Sequence, residues 1–189
     1  SHSDGKVIAL ADMLTGLADA LAETLDVPEV YANGEELICQ AEVDGVIMAL
    51  PTGLRTPLAM LALQKGKHVL LEKPVAMNAT EVETMIAAKG DLIVGCCSPR
   101  FLTTPSALAA IEVIASGVLG NIRAVHSRSM MNLREKGGTP PPAWRLKKEL
   151  NGGGILMNWG CYDLDFLLGI FGRRFVPQTV CAQTWSIPE

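Results

Sequence analysis

Apolar residues along the chain gather into short unbroken runs, and between the runs they recur at helical intervals. Lys6–Ala11 is the first run. It is closed by Asp12 and predicts a buried parallel strand. Leu14, Leu17, Ala18, Leu21, Ala22 and Leu25 then form a helical stripe that Pro28 stops. Val30-Tyr31 predicts a short strand and Gly34–Ile38 a helical turn. Val43–Leu50 predicts a second buried strand, followed by Pro51-Thr52-Gly53 and by a helix marked by Leu54, Leu58, Leu61 and Ala62. His68–Leu71 predicts a third buried strand. Asn78 is placed to cap the next helix, with Glu81 completing a capping-box-like pair, and that helix ends at Gly90. Leu92–Cys96 predicts a fourth strand.

Strands alternating with helices of this length predict an α/β fold, a doubly wound parallel sheet with right-handed crossovers. A helix over Pro105–Ser116 ends at Gly117, and beyond Gly120 the texture changes. Asn121–Asn132 alternates polar and apolar residues, as a half-exposed strand does. Arg134–Pro142 is a Gly/Pro-rich loop, Gly152–Gly154 open a helix that runs to about Gly169 or Phe171, and Gln178–Ile187 predicts another strand. The change of texture sets a domain boundary near Leu119, with residues 1–119 in one domain and 120–189 in the next.

Composition adds exclusions. Of 189 residues 49% are hydrophobic and 19% charged, which describes a folded globular chain. The net charge of −4 argues against a nucleic-acid partner, because phosphate binding needs a basic surface. No apolar run is long enough to span a bilayer, and the first residues lack a secretory pattern. Cys39, Cys96, Cys97, Cys161 and Cys181 lack framework spacing, as expected of reduced thiols in a cytoplasmic protein. No His/Cys cluster has the spacing of a metal site.

Chemistry concentrates where strands end. Pro74 has no N–H to donate, so the third strand stops at Lys73 and leaves its ammonium at the C-terminal edge of the sheet, where ligands bind in open α/β folds. Such a lysine is either catalytic or a solvated surface residue. Asp12 ends the first strand, where a carboxylate either accepts hydrogen bonds from ribose hydroxyls or caps the following helix. Pro51, Thr52 and Gly53 suit a plain strand-to-helix turn. Asn158, Tyr162 and Asp165 fall at i, i+4 and i+7, one face of a helix, with Leu164, Leu167 and Phe171 opposite as core. Arg100 follows the fourth strand and either meets a polar substrate or sits on the surface. Trp144-Arg145 either walls a pocket or packs. Cys96-Cys97 has no activating partner in the sequence and is expected to be structural.

In this order the pieces resemble the glucose-fructose oxidoreductase and inositol dehydrogenase family, Gfo/Idh/MocA. The resemblance is carried by Ala9–Asp12, Ala49–Gly53 (ALPTG), Gly66–Pro74 (GKHVLLEKP), the Arg100-Phe101 pair, Ser116–Ile122 (SGVLGNI), Trp144-Arg145, and Gly152–Gly154 with the helix through Asp165. It covers nearly the whole chain. It implies a Rossmann domain followed by an α+β substrate domain with a mostly antiparallel sheet. It further implies hydride transfer between NAD, or NADP, and a sugar, cyclitol or related polyol, in a homodimer or homotetramer. Pro51, Thr52, Gly53, Glu72, Lys73 and Pro74 would then lie along the cofactor, with the Lys73-Pro74 bond cis. Lys73 would stabilise alkoxide character, Tyr162 would move the proton, Asn158, Arg100, Trp144 and Arg145 would meet substrate, and Asp165 would bind a substrate hydroxyl or orient Tyr162. The family often has Asp where this chain has Asn158 and His where it has Tyr162; a subset carries Tyr there. A phenol suits proton transfer where a cation favours its ionised form.

The family's glycine-rich turn is missing, since no G-x-G-x-x-G occurs in these residues. The central first strand and the amides that hold a pyrophosphate are therefore expected to lie outside this sequence, which reads as an internal fragment of a longer enzyme; the alternative is a short protein that fills the gap another way, for instance by swapping strands between chains. Two other functions fit the same resemblance: a hydrolase or lyase that oxidises its substrate transiently on a retained NAD, and a relative that binds ligand or partner without catalysis.

Overall fold

The computed structural model describes residues 5–97, 101–129, 142–172 and 176–184. The chain forms two compact units, residues 1–98 with 131–161, and residues 99–130 with 162–189.

The first unit holds five short parallel strands. β1 (Ala9–Ala11) pairs with β2 (Glu29–Tyr31), in register Ala9 with Glu29. β3 (Gly45–Met48), β4 (His68–Leu71) and β5 (Val94–Cys96) form a second sheet in that order, with β4 central. Helices α1 (Thr15–Leu25), α2 (Gly34–Gln40), α3 (Thr52–Gln64) and α4 (Ala79–Ala88) connect them. β1 and β3 are edges of separate sheets, and a strand between them would complete the order expected of a Rossmann fold.

The core lies on one side of the three-stranded sheet. Val46, Met48, Val69 and Leu71 point into it and meet Ile38 of α2, Ala59, Ala62 and Leu63 of α3, and Met85 of α4. Ala59 and Ala62 are fully buried, and these small side chains let α3 approach the sheet closely. Asn78 caps α4 as its sequence suggests. Its Oδ1 accepts from Glu81 N at 3.0 Å, while Glu81 Oε2 accepts from Thr56 Oγ1 at 2.6 Å and ties α4 to α3.

Several expectations from the apolar pattern need correction. β3 and β4 are buried on one face only: Ile47 is 72% exposed, because among the described residues the helices of the core cover the opposite face. In α1 only Ala18 and Ala22 are buried, and Leu14, Leu17, Leu21 and Leu25 face outward. In α3 the buried face is Thr52, Arg55, Ala59, Ala62 and Leu63, and Leu54 is exposed.

In the second unit, α5 (Pro105–Ala115) is capped by Thr104, whose Oγ1 accepts from Ala107 N. Most of α7 (Cys161–Phe171) belongs here as well, and Leu102 packs against Gly169 with no room for a Cβ. Leu164, expected in the core, is exposed. The alternating segment over 121–129 is not a strand, nor is 176–184; a strand exists only through ladder hydrogen bonds to a partner, and none of the described residues supplies one. Residues 130–132 and 185–187 of those two expected strands, and the 134–141 part of the expected loop, lie outside the described residues. No helix among the described residues is long and apolar enough to cross a membrane.

Candidate functional site

β4 delivers the central group. Its ladder continues for one step as Glu72 N donates to Met48 O at 3.2 Å, and then the chain turns at Lys73-Pro74, whose peptide bond is cis as the resemblance implied. Glu72 shapes the turn, its Oε2 accepting from Lys73 N at 3.1 Å. The half-buried Lys73 side chain ends on the segment after the glycines. Its Nζ donates to Asn158 O at 2.7 Å and to Asn158 Oδ1 at 2.9 Å, and lies 5.5 Å from the centre of the Trp159 ring, in range for a cation–π contact.

Asn158 presents a main-chain and a side-chain oxygen to the ammonium from a locally irregular stretch of helix. Leu156–Gly160 forms a single π-helical turn before α7 begins. Such turns loosen the regular ladder and are frequent at functional sites. This differs from the uniform α-helix on which spacing alone puts Asn158, Tyr162 and Asp165 on one face.

The glycines before it have separate jobs. Gly152 ends α6 (Lys148–Asn151) with φ +80°, a conformation that favours glycine, and its open side faces Met77 and Met157. Buried Asn151 holds this bend, its Nδ2 donating to Gly153 O at 2.7 Å and to Arg145 O at 3.0 Å. Trp144 and Arg145 form a 3-10 turn (Ala143–Leu146) before α6. Trp144 is half-buried, Arg145 is exposed, and its guanidinium carbon lies 5.3 Å from the Trp144 ring centre.

Asp12 is exposed at the end of β1. Its Oδ1 accepts from Leu14 N at 2.8 Å, so it braces the entry to α1 while Leu14 takes the cap position. Pro51 is half-buried at the cap of α3, Thr52 is 1% exposed, and Gly53 faces the backbone of Glu149 and Leu150. Asp12, Pro51 and Lys73 each follow the C-terminal end of a parallel strand, where a dinucleotide lies in such sheets. The glycine cradle for its pyrophosphate is not in this sequence.

In the second unit Tyr162 is 2% exposed, with the Phe101 ring edge-on at 5.2 Å between centres. Asp165 is half-buried one turn further on. Arg100 lies outside the described residues. Half-buried Cys96 has its thiol pushed up to about 11, first by burial and then by Cys97, which agrees with a structural role.

One residue was missed in the sequence. Arg55, in the first turn of α3, is 3% exposed. Its Nε donates to Leu50 O at 2.7 Å, and its Nη1 donates to Glu72 O at 2.6 Å and to Pro74 O. Burial pushes the guanidinium below its usual value, and Glu72 opposes that shift. An arginine early in a helix resembles any surface arginine. The available signal was its i+4 and i+7 spacing to Ala59 and Ala62.

Comparison with known proteins adds a family. Residues 1–92 match the family model described as GFO_IDH_MocA, an oxidoreductase family with an NAD-binding Rossmann fold. Residues 107–189 match the GFO/IDH/MocA C-terminal domain. The chain is 30% identical over 176 residues to a trans-1,2-dihydrobenzene-1,2-diol dehydrogenase of Bos taurus, covering 92% of this chain and 50% of that protein. It is similar to the crystal structure of an NAD binding oxidoreductase from Klebsiella pneumoniae, with a TM-score of 0.67, 28% identity, and 87% of this chain and 44% of that one covered. A levoglucosan dehydrogenase in complex with NADH and levoglucosan shares the fold, with a TM-score of 0.67 at 22% identity over 86% of this chain and 44% of that one. The chain spans about half the length of the curated relatives it matches.

Proposed function

Because the chain belongs to the Gfo/Idh/MocA oxidoreductase family, with its NAD-binding Rossmann fold, we propose that it forms part of an enzyme that oxidises a secondary hydroxyl of a sugar, cyclitol or related diol. The observation that carries this is the Lys73 ammonium at the end of β4, held on Asn158 at 2.7 and 2.9 Å. NAD, when bound, supplies the hydride acceptor, and NADP is the alternative cofactor.

The chain's own residues then have distinct tasks. Asp12 would accept hydrogen bonds from the adenosine ribose and repel a 2′-phosphate, which favours NAD. Pro51, Thr52 and Gly53 would border the dinucleotide by their backbone, and Glu72 and Pro74 would shape the turn beside it. Oxidation removes a hydride from the carbinol carbon and a proton from its oxygen. Tyr162 is the group proposed to take that proton, and Lys73 stabilises the alkoxide character that develops as it leaves. Asn158 orients Lys73. Asp165, Arg100, Trp144 and Arg145 are proposed to contact substrate hydroxyls. The division near Leu119 into a cofactor domain and a substrate domain, a cytoplasmic location and a homodimeric or homotetrameric assembly belong to the same proposal.

The test is a spectrophotometric screen of the whole enzyme with NAD and NADP against a panel of sugars, inositols and vicinal diols. Saturable reduction of NAD by at least one polyol is the expected result. Cofactor binding without reduction by any member of the panel would refute it. NAD that persists through purification without net NADH release would point instead to transient oxidation.

A further inference from the structure

Arg55 is a buried cation whose hydrogen bonds run to backbone carbonyls. Burying a guanidinium is costly unless its donors are satisfied, and an apolar side chain would fill the same space more cheaply. The acceptors explain its presence. Leu50 O belongs to the segment leaving β3. Glu72 O and Pro74 O flank Lys73 on both sides and converge on the same Nη1 atom. Arg55 thus joins the ends of two adjacent strands and grips the backbone immediately before and after Lys73. The planar fork of donors suits this in a way that a lysine's single ammonium does not.

We propose that Arg55 is a positioning residue: by gathering the carbonyls of Leu50, Glu72 and Pro74 it fixes the turn that carries Lys73 and so sets where the Lys73 ammonium stands against Asn158. The clamp itself follows from the geometry. Its effect on turnover rests on the function proposed above for Lys73.

The experiment separates the two. Arg55→Lys and Arg55→Gln are made in the whole enzyme, and the labelling rate of each lysine by acetic anhydride is read by mass spectrometry. Lys67 is the internal reference, because its Nζ donates to Ala41 O at 2.8 Å and Val43 O at 3.2 Å, away from Arg55. Lys73 is expected to label roughly fivefold faster in Arg55→Gln, and less so in Arg55→Lys, while Lys67 changes by less than about twofold. In the same variants kcat is expected to fall by about tenfold or more, with the cofactor KM within about threefold. An unchanged Lys73 rate in a folded variant overturns the proposal, and Arg55→Lys carries the test if Arg55→Gln does not fold. A parallel rise at Lys67 and Lys73 also overturns it, since that reports general loosening. Faster Lys73 labelling alone, with kcat unchanged, upholds the clamp and sinks the catalytic assignment of Lys73.

Discussion

Gly53 offers a quantitative check on how α3 and α6 are held together. A Cβ built at Gly53 would overlap the Glu149 carbonyl oxygen and stand 3.3 Å from Leu150 Cα and 3.4 Å from Glu149 C. All three are backbone atoms, so no side-chain rotation relieves the clash, and α6 must move away from α3. Overpacking of this kind costs about 1–3 kcal/mol. Alanine's better helix propensity returns up to ~1 kcal/mol, less so close to the helix start. Gly53→Ala should therefore destabilise by about 1–2 kcal/mol, and at about 2–4 °C per kcal/mol for a chain of this size the midpoint should fall by about 2–8 °C. Gly16 is the matched control, as nothing lies within 4 Å of its built Cβ in α1. Gly16→Ala should raise stability by about 0.5–1 kcal/mol. Thermal melts followed by circular dichroism, with urea titrations at fixed temperature, measure both. A Gly53→Ala protein as stable as the parent would refute the close approach of α6 to α3.

Asn78→Ala removes the acceptor of Glu81 N and should cost about 1 kcal/mol in a urea titration. Iodoacetamide at pH 8 should label exposed Cys39 well before Cys96, whose thiol is pushed up to about 11, and Cys96 labelling should accelerate only as the pH approaches that value. The same shift sets a sign for stability. An unfolded thiol loses its proton near 9.0 and the folded one near 11, so the unfolded state holds fewer protons between them, and the stabilisation present below pH 9.0 is lost as pH rises through that window. Tyr162→Phe should lower kcat by about 10²-fold or more while changing KM little, if its hydroxyl moves the proton.

Local signals were the legible ones. The capping pair Asn78 and Glu81 and the break that Pro74 imposes after β4 depend on residues close in sequence, and each is found as expected. Burial depends on distant partners and was less legible. The leucines of α1 have the spacing of a core stripe, yet they face outward, because no described element covers them. The alternation over 121–129 has strand character without a neighbouring strand to make it one. At the site, Lys73 was visible as a charged residue at a strand end, but its partner Asn158 accepts through a main-chain carbonyl within a π-helical turn, and composition does not encode that. Arg55 was hidden for the same reason, since its three partners are carbonyls and carry no sequence signature.

The central claim is that the Lys73 ammonium acts on the reacting hydroxyl rather than merely bracing Asn158. Lys73→Ala in the whole enzyme, assayed for NAD reduction by its best polyol and for NADH binding by fluorescence, tests this most directly. Turnover should fall by about 10²–10³-fold with NADH affinity within about threefold of the parent. Turnover equal to the parent's, in a protein that still binds NADH, would contradict it.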